Sequence, residues 1–246
     1  MIDLQIQDQV FVLHLQNEEN RFNRDSLNAI EDALDKVEAR RENEPTALVT
    51  VGAGKFYSNG LDLAWMSQAG APAATENVQR VHELLVRMLT FPVITVAALN
   101  GHAFAAGAML ALAHDFRVMR KDRGYFCLPE ADINIPFTPG MSALIQARLA
   151  PQQAHEAMVT ARRYGGVDAV SAGIVQLAVD ENEVLPAAKS RAGELAGKDG
   201  VTMSEAQRRN KERDFNELTR DFQKRQRDYR EDVNQRRNEE LSQVVE

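Results

Sequence analysis

Val93-Ile94-Thr95-Val96-Ala97-Ala98 is a β-type run, and it gives way almost at once to Gly101-His102-Ala103-Phe104-Ala105-Ala106-Gly107-Ala108-Met109-Leu110-Ala111, a stretch of mostly small residues that opens a helix. The chain turns from strand to helix with little side-chain bulk at the corner, and the first turn of that helix has backbone N–H groups without intrahelical acceptors. The partial charge at that end is positive, so a ligand oxygen that reaches the main chain can be held there as an oxyanion. The same composition also lets a strand and a helix pack closely. A second segment strengthens the first reading: Gly54-Lys55-Phe56-Tyr57-Ser58-Asn59-Gly60-Leu61-Asp62-Leu63 follows the β-type run at 47–51 and leads into a short helical stretch.

The remainder of the first 200 residues alternates strands with helices. Residues 4–6 and 10–15 alternate as paired strands, and 17–23 form a polar loop. An amphipathic helix is expected over 25–40, with Leu27, Ile30, Leu34 and Val37 on one face and Asp25 as its cap. Ala71-Pro72-Ala73 and Thr75 open a helix over 76–89, another helix covers 105–114, and 116–119 is a strand. Helices follow at about 141–149, 152–163, 167–173 and 185–196, separated by Pro151, Gly165-Gly166 and Gly173. No internal repeat is visible in the residues. The alternation predicts an α/β core, and periodicity alone does not separate a spiral of ββα units from a doubly wound sheet.

At 246 residues and 44% apolar content the chain can bury a sizeable core, as one large domain or one domain with an appendage. Cys127 is the one cysteine, so no internal disulfide forms and nothing points to an oxidising compartment. Residues 1–8 have neither the cationic start nor the apolar core of a signal peptide, and no apolar run is long enough to span a membrane. A cytoplasmic location without a membrane partner is expected. The net charge of −7 argues against nucleic acid as the main partner. Gly52-Ala53-Gly54-Lys55 is not a P-loop, because Val49 stands where the first glycine belongs and Phe56 where the magnesium-binding hydroxyl belongs. His14, His82, His102, His114 and His155 show no metal-ligand spacing, so no metal is expected.

Three motifs in order carry a resemblance. Phe56 to Leu63 has the pattern F-x-x-x-G-x-D-L, and about forty residues later Gly101 to Ala111 has G-H/Y-A-x-small-small-G-x-x-L-A. Leu128-Pro129-Glu130-Ala131-Asp132 then brings a P-E pair ahead of Pro139-Gly140. Over about residues 2–198 this resembles the crotonase (enoyl-CoA hydratase/isomerase) superfamily, which implies the crotonase-type ββα spiral. The resemblance also implies that the N–H groups of Leu61 and Ala106 hold a thioester oxygen as it becomes an enolate, with Glu130 as the catalytic residue. It places Arg21, Phe22, Ser58, Gly60, Asp62, Gly107 and Met109 at an acyl-CoA site, with Arg21 and the 17–23 loop where the superfamily meets the CoA adenine and phosphates. Coenzyme A enters as part of the substrate, no further cofactor is implied, and the expected assembly is a homotrimer or a dimer of trimers.

Glu130 has a chemical argument of its own. A proton alpha to a thioester is weakly acidic, so removing it needs a positioned base and a charge-stabilising pocket at the carbonyl oxygen. A carboxylate in an apolar cleft suits the first task, since desolvation raises its pKa. Phe126, Leu128, Ile133, Ile135 and Phe137 are candidate walls, and Asp132 competes for the role, because on an extended stretch it points to the same side as Glu130. Hydratases of the superfamily use a second glutamate just after the glycine turn, and Met109 stands at the matching position here. Methionine cannot activate water. The Δ3,Δ2-enoyl-CoA isomerases keep only the P-E glutamate, and segments of the plant peroxisomal type resemble 55–63 and 119–124 of this chain. The implied activity is a shift of a double bond from position 3 to position 2. Hydration or thioester hydrolysis on the same fold is one alternative, and a non-catalytic interaction protein dominated by its tail is another.

That tail departs from the superfamily. Residues 201–246 carry eleven Lys/Arg and eleven Asp/Glu, so the preceding 200 residues hold the whole net charge. Phe215, Leu218, Phe222 and Tyr229 recur at spacings of three, four and seven, which suits a long amphipathic helix. The segment resembles a helical arm of Skp/OmpH-type chaperones. The expected organisation is a catalytic core over 1–198 and a charged helical tail over 199–246, a candidate fusion. The closing apolar helices of the superfamily are missing from it, which weakens the expected trimer.

Overall fold

Alternate residues of the first hairpin face two different apolar clusters, and this sets the architecture. β1 (Ile2–Gln7) and β2 (Val10–Leu15) are antiparallel, with Leu4 opposite Leu13. Val10 and Val12 join one cluster, while Phe11, Leu13 and Leu15 join the other, as the two-residue period of a strand requires. The computed structural model describes residues 2–17, 19–198 and 202, so the charged helical tail expected over 199–246 lies, Thr202 apart, outside the described residues.

α1 (Arg24–Arg41) buries Leu27, Ile30, Leu34 and Val37 as expected, but its cap is Asn23, not Asp25. The Asn23 side chain accepts from the Ser26 N–H at 3.1 Å, and Ser26 Oγ accepts from the Asn23 N–H at 2.9 Å. This reciprocal box fixes the start one residue earlier, and Asp25 falls in the first turn, where its charge suits the helix dipole. β3 (Ala47–Gly52), β4 (Phe56–Ser58), α2 (Leu63–Ala69) and α3 (Ala71–Leu89) follow. α3 begins upstream of the expected 76 because Pro72 sits in its first turn, where a missing N–H is harmless. Next come β5 (Ile94–Leu99), β6 (His102–Phe104), α4 (Ala106–Ala113), β7 (Phe116–Arg120), β8 (Phe126–Cys127) and a 3-10 turn at Pro129–Ala131. The described chain ends with α5 (Pro139–Arg148), α6 (Pro151–Thr160), α7 (Gly166–Ser171), β9 (Leu177–Val179) and α8 (Val184–Leu195). β9 was not expected; it is a short, partly exposed edge strand, too brief to show a period.

Six strands pair in the order β1-β2-β3-β5-β7-β9, all parallel after the first hairpin. One face packs Val12, Val49, Val96 and Val118 against Ala188 and Ala192 of α8. The other packs Leu13, Leu48, Ala97 and Met119 into the cluster that includes residues of α1, α3 and α4. Burial on both faces explains the mostly apolar composition of β3 and β5, each interrupted by one threonine.

A second parallel sheet, β4-β6-β8, has strands of two or three residues. Each follows a strand of the large sheet and precedes helical structure, giving three ββα turns of a spiral. The corners stack backbone on backbone. A Cβ on Gly101 would lie 2.5 Å from the Lys55 carbonyl carbon, and one on Gly124 would lie 2.7 Å from the Gly101 carbonyl carbon. The helix expected over 105–114 starts at Ala106, after His102 to Phe104 has paired into the small sheet. The repeat lies in topology rather than in residues.

Candidate active site

Because the small sheet is parallel, the carboxyl ends of β4, β6 and β8 lie side by side, the usual place for a ligand in parallel sheets. β4 leads to Gly60 and Leu61, β6 to Ala105 and Ala106, and β8 to Glu130. Phe22 N–H donates to the Gly60 carbonyl at 2.7 Å, and Asp62 N–H donates to the Phe22 carbonyl at 3.0 Å. In such a parallel bridge the groups flanking Leu61 face Phe22, so the Leu61 N–H points the opposite way. It has no acceptor among the described residues.

Gly60 brings that loop against the start of α4. At φ +77, with a Cβ that would sit 3.0 Å from Ala106 N and 3.1 Å from the Phe104 carbonyl oxygen, the position suits only glycine. Ala105, just before the helix, has φ 51 and ψ −125, a conformation that a residue with a side chain rarely adopts. Its N–H donates to the Cys127 carbonyl at 3.1 Å, which ties the turn to β8. The helical ladder begins with Met109 N–H to the Ala105 carbonyl at 3.0 Å, so the Ala106 N–H precedes it and has no acceptor among the described residues. Gly107 rests on β4, where a Cβ would lie 2.7 Å from Ser58 Cβ. At the far end of α4, Arg117 donates to the His114 carbonyl at 3.0 Å and Arg148 to the Leu112 carbonyl at 2.8 Å. Cations there complement the dipole that makes the other end positive.

Glu130 lies in the 3-10 turn after β8 and is 5% exposed. Its Oε2 is buried with no hydrogen-bond partner among the described residues. Burial pushes the carboxyl up to about 7, against a smaller downward pull from its own backbone N–H. Phe126 and Leu128 are buried and Phe137 is partly buried, whereas Ile133 and Ile135 are exposed. Asp132 does not share the buried setting of Glu130. The stretch is a 3-10 turn rather than an extended strand, and Asp132 ends it on the surface, donating its N–H to the Pro129 carbonyl at 2.9 Å.

The other expected residues gather around this corner in different ways. Ser58 is fully buried beneath the loop, and its hydroxyl bonds main-chain groups rather than facing a cleft. Asp62 caps α2 through Trp65 N–H at 3.1 Å and accepts from Asn23 Nδ2 at 3.0 Å. Phe22 and Met109 are buried in the larger cluster. Arg21 is half-exposed and pairs with Glu19 at 2.6 Å. A separate cavity of about 510 Å³, lined by Thr46, Pro92, Ile94 and Leu195 among others, lies at the opposite ends of β3 and β5. Asn20 and Ala105 hold the corner and were missed. Asn20 stood in a polar loop as the residue that after glycine best tolerates a left-handed backbone; nothing about an alanine signals a positive φ.

Comparison with known proteins agrees with this architecture. The enoyl-CoA hydratase/isomerase family profile matches residues 5–244. Enoyl-CoA delta isomerase 3 of Arabidopsis thaliana is 36% identical over 209 residues, which cover 80% of this chain and 86% of that protein. The crystal structure of a probable enoyl-CoA hydratase from Mycobacterium tuberculosis superposes with a TM-score of 0.86 at 22% identity, covering 95% of this chain and 98% of that one. Human mitochondrial delta3-delta2-enoyl-CoA isomerase superposes with a TM-score of 0.81 at 19% identity, covering 91% and 89%. At these identities the two structures speak for the fold alone. The chain belongs to the enoyl-CoA hydratase/isomerase family and has the crotonase fold.

Proposed function

We propose that the chain is a Δ3,Δ2-enoyl-CoA isomerase. The observation that carries this reading is the Glu130 carboxyl, buried, with one oxygen unpartnered and a pKa of about 7. Such a group is a serviceable base and, once protonated, a serviceable acid near neutral pH. Glu130 takes a proton from C2 of a 3-enoyl thioester, and the electrons of that C–H bond move through the carbonyl to make a dienolate. The N–H groups of Leu61 and Ala106 receive the charge on the oxygen. Glu130 then returns the proton to C4, leaving the double bond between C2 and C3. No water is added, and the proton shift calls for no cofactor beyond the coenzyme A that the substrate brings. Met109, fully buried, offers no second acid–base group of the kind that hydration would use. The Arabidopsis relative named enoyl-CoA delta isomerase supports the same reading.

The test is to offer the protein a 3-enoyl-CoA and, separately, a 2-enoyl-CoA, and to follow the conjugated thioester. The expected result is conversion of the first to 2-enoyl-CoA with negligible hydration of the second. Rapid hydration would replace the isomerase assignment with that of a hydratase.

A further inference from the structure

β4 is the open edge of the small sheet, only three residues long and irregularly paired to β6, so it cannot by itself aim the residues that follow it. A buried side chain stands at that edge. Asn20 is 4% exposed and has φ +53. Its Nδ2 donates to two successive carbonyls of β4, Phe56 at 3.0 Å and Tyr57 at 3.2 Å. Its Oδ1 accepts from the Asn17 N–H at 2.8 Å, and its own N–H donates to the Asn17 carbonyl. Its carbonyl accepts from Ser58 Oγ at 2.7 Å, and the same Oγ accepts from the Gly60 N–H at 3.2 Å. The relay thus ends at the residue before Leu61.

We infer that Asn20 is a positioning residue for the reaction, aiming the Leu61 N–H at the thioester oxygen through β4 and the Ser58 hydroxyl. The inference rests on the isomerase reading for its reaction. Asparagine fits for two reasons: it tolerates the left-handed backbone, and its amide offers two donors for the two carbonyls it meets. Aspartate would set acceptors against acceptors at the same place.

Asn20→Gly keeps the backbone conformation and removes the amide, and Ser58→Ala breaks the relay one step later. Each is expected to lower kcat on 3-enoyl-CoA about tenfold, below the roughly 100- to 1,000-fold that follows complete loss of an oxyanion donor. KM is expected to stay within about twofold, since the donor is misaimed in the transition state rather than lost from the ground state. A conjugated chromophoric acyl-CoA bound to each variant should show a smaller red shift than on the wild type, because its carbonyl is less polarised. The double variant should be no slower than about the slower single one, since both act on one relay. Asn20→Gly with kcat and red shift within about twofold of wild type overturns the inference, as does a change confined to KM. Should that variant fail to fold, Ser58→Ala decides by the same criteria. A wild-type protein that shifts the chromophore but does not isomerise refutes the isomerase reading alone, and the red shifts of the variants still judge Asn20.

Discussion

The two sheets are drawn alternately from the same stretch of chain, yet they are built on different terms. In the six-stranded sheet, β3 and β5 are buried on both faces by apolar side chains, and their backbones pair on both sides. In the three-stranded sheet the strands are short, and they end in Gly60 at φ +77, Ala105 at φ 51 and a buried carboxyl oxygen without a partner. Such features oppose folding locally, and they persist because the surrounding structure over-determines them. The large sheet is built for stability, and the small one ends in backbone N–H groups without acceptors and a desolvated carboxyl.

The sharpest way to test that division is at Glu130. Glu130→Gln keeps the shape and removes the ability to accept a proton, so isomerisation should fall by roughly 100- to 10,000-fold while binding of the CoA thioester largely survives. Steady-state turnover and a binding isotherm measured together check both halves. Turnover near that of the wild type would move the base elsewhere and detach the chemistry from the end of β8.

A pair of substitutions compares the sheets directly. Gly60→Ala places a methyl 3.0 Å from Ala106 N at a backbone angle that alanine resists, so the Leu61 N–H must shift. A fall in kcat of roughly 100- to 1,000-fold is expected, as for the loss of an oxyanion donor. Val49→Ala, in the fully buried centre of β3, should instead lower stability by about 2–3 kcal/mol and leave kcat of the folded protein intact. Chemical denaturation alongside turnover separates the two outcomes. A catalytic loss at Val49 as deep as that at Gly60 would break the comparison.

The same division decided how much of the molecule could be seen in the residues. Strands β2, β3 and β5 have long apolar runs, and α1 has a clean stripe of Leu27, Ile30, Leu34 and Val37, so their existence follows from periodicity. β4, β6 and β8 are too short for any period. The spiral came from motif order, since its repeat is topological. The roles proposed for Leu61, Ala106 and Glu130 rest on the same motif order, whereas the exposure of Asp132, Ile133 and Ile135 depends on a 3-10 turn that local sequence does not distinguish from an extended stretch. Asn20 escaped because its partners on β4 lie more than thirty residues away.

The titration of Glu130 gives a smaller effect with a definite sign. The base must be ionised to act, so kcat/KM should fall as pH drops below about 7 and level off above it. Stability runs the other way. The folded carboxyl has a pKa above the unfolded value near 4.5, so native protein holds its proton where unfolded chain has lost it. Stability contributed by the neutral form is full below about 4.5, declines as pH rises, and is lost above about 7. Glu130→Gln should therefore be more stable than wild type by up to about 3 kcal/mol above pH 7, with the difference vanishing below pH 4.5. Denaturation midpoints at several pH values test this; equal midpoints at pH 8 would mean that the carboxyl is solvated in the folded state.

Arg21 marks the other limit, one residue from Asn20 in sequence and opposite in character. Its side chain is 39% exposed, and its guanidinium bonds Glu19 at 2.6 Å, whose side chain is 37% exposed. An ion pair this wet contributes at most about 1 kcal/mol to stability, so Arg21→Ala should shift the denaturation midpoint only slightly. If this loop meets the phosphates of coenzyme A, the same substitution should raise KM for the thioester a few-fold while leaving kcat unchanged, because a contact remote from the reacting atoms binds ground state and transition state alike. Screening should shrink the KM difference as salt is raised toward about 1 M, where the Debye length is near 3 Å. An unchanged KM at low salt would remove Arg21 from the headgroup contact, and a fall in kcat would show that this exposed side chain helps to hold the small sheet, erasing the contrast with its buried neighbour.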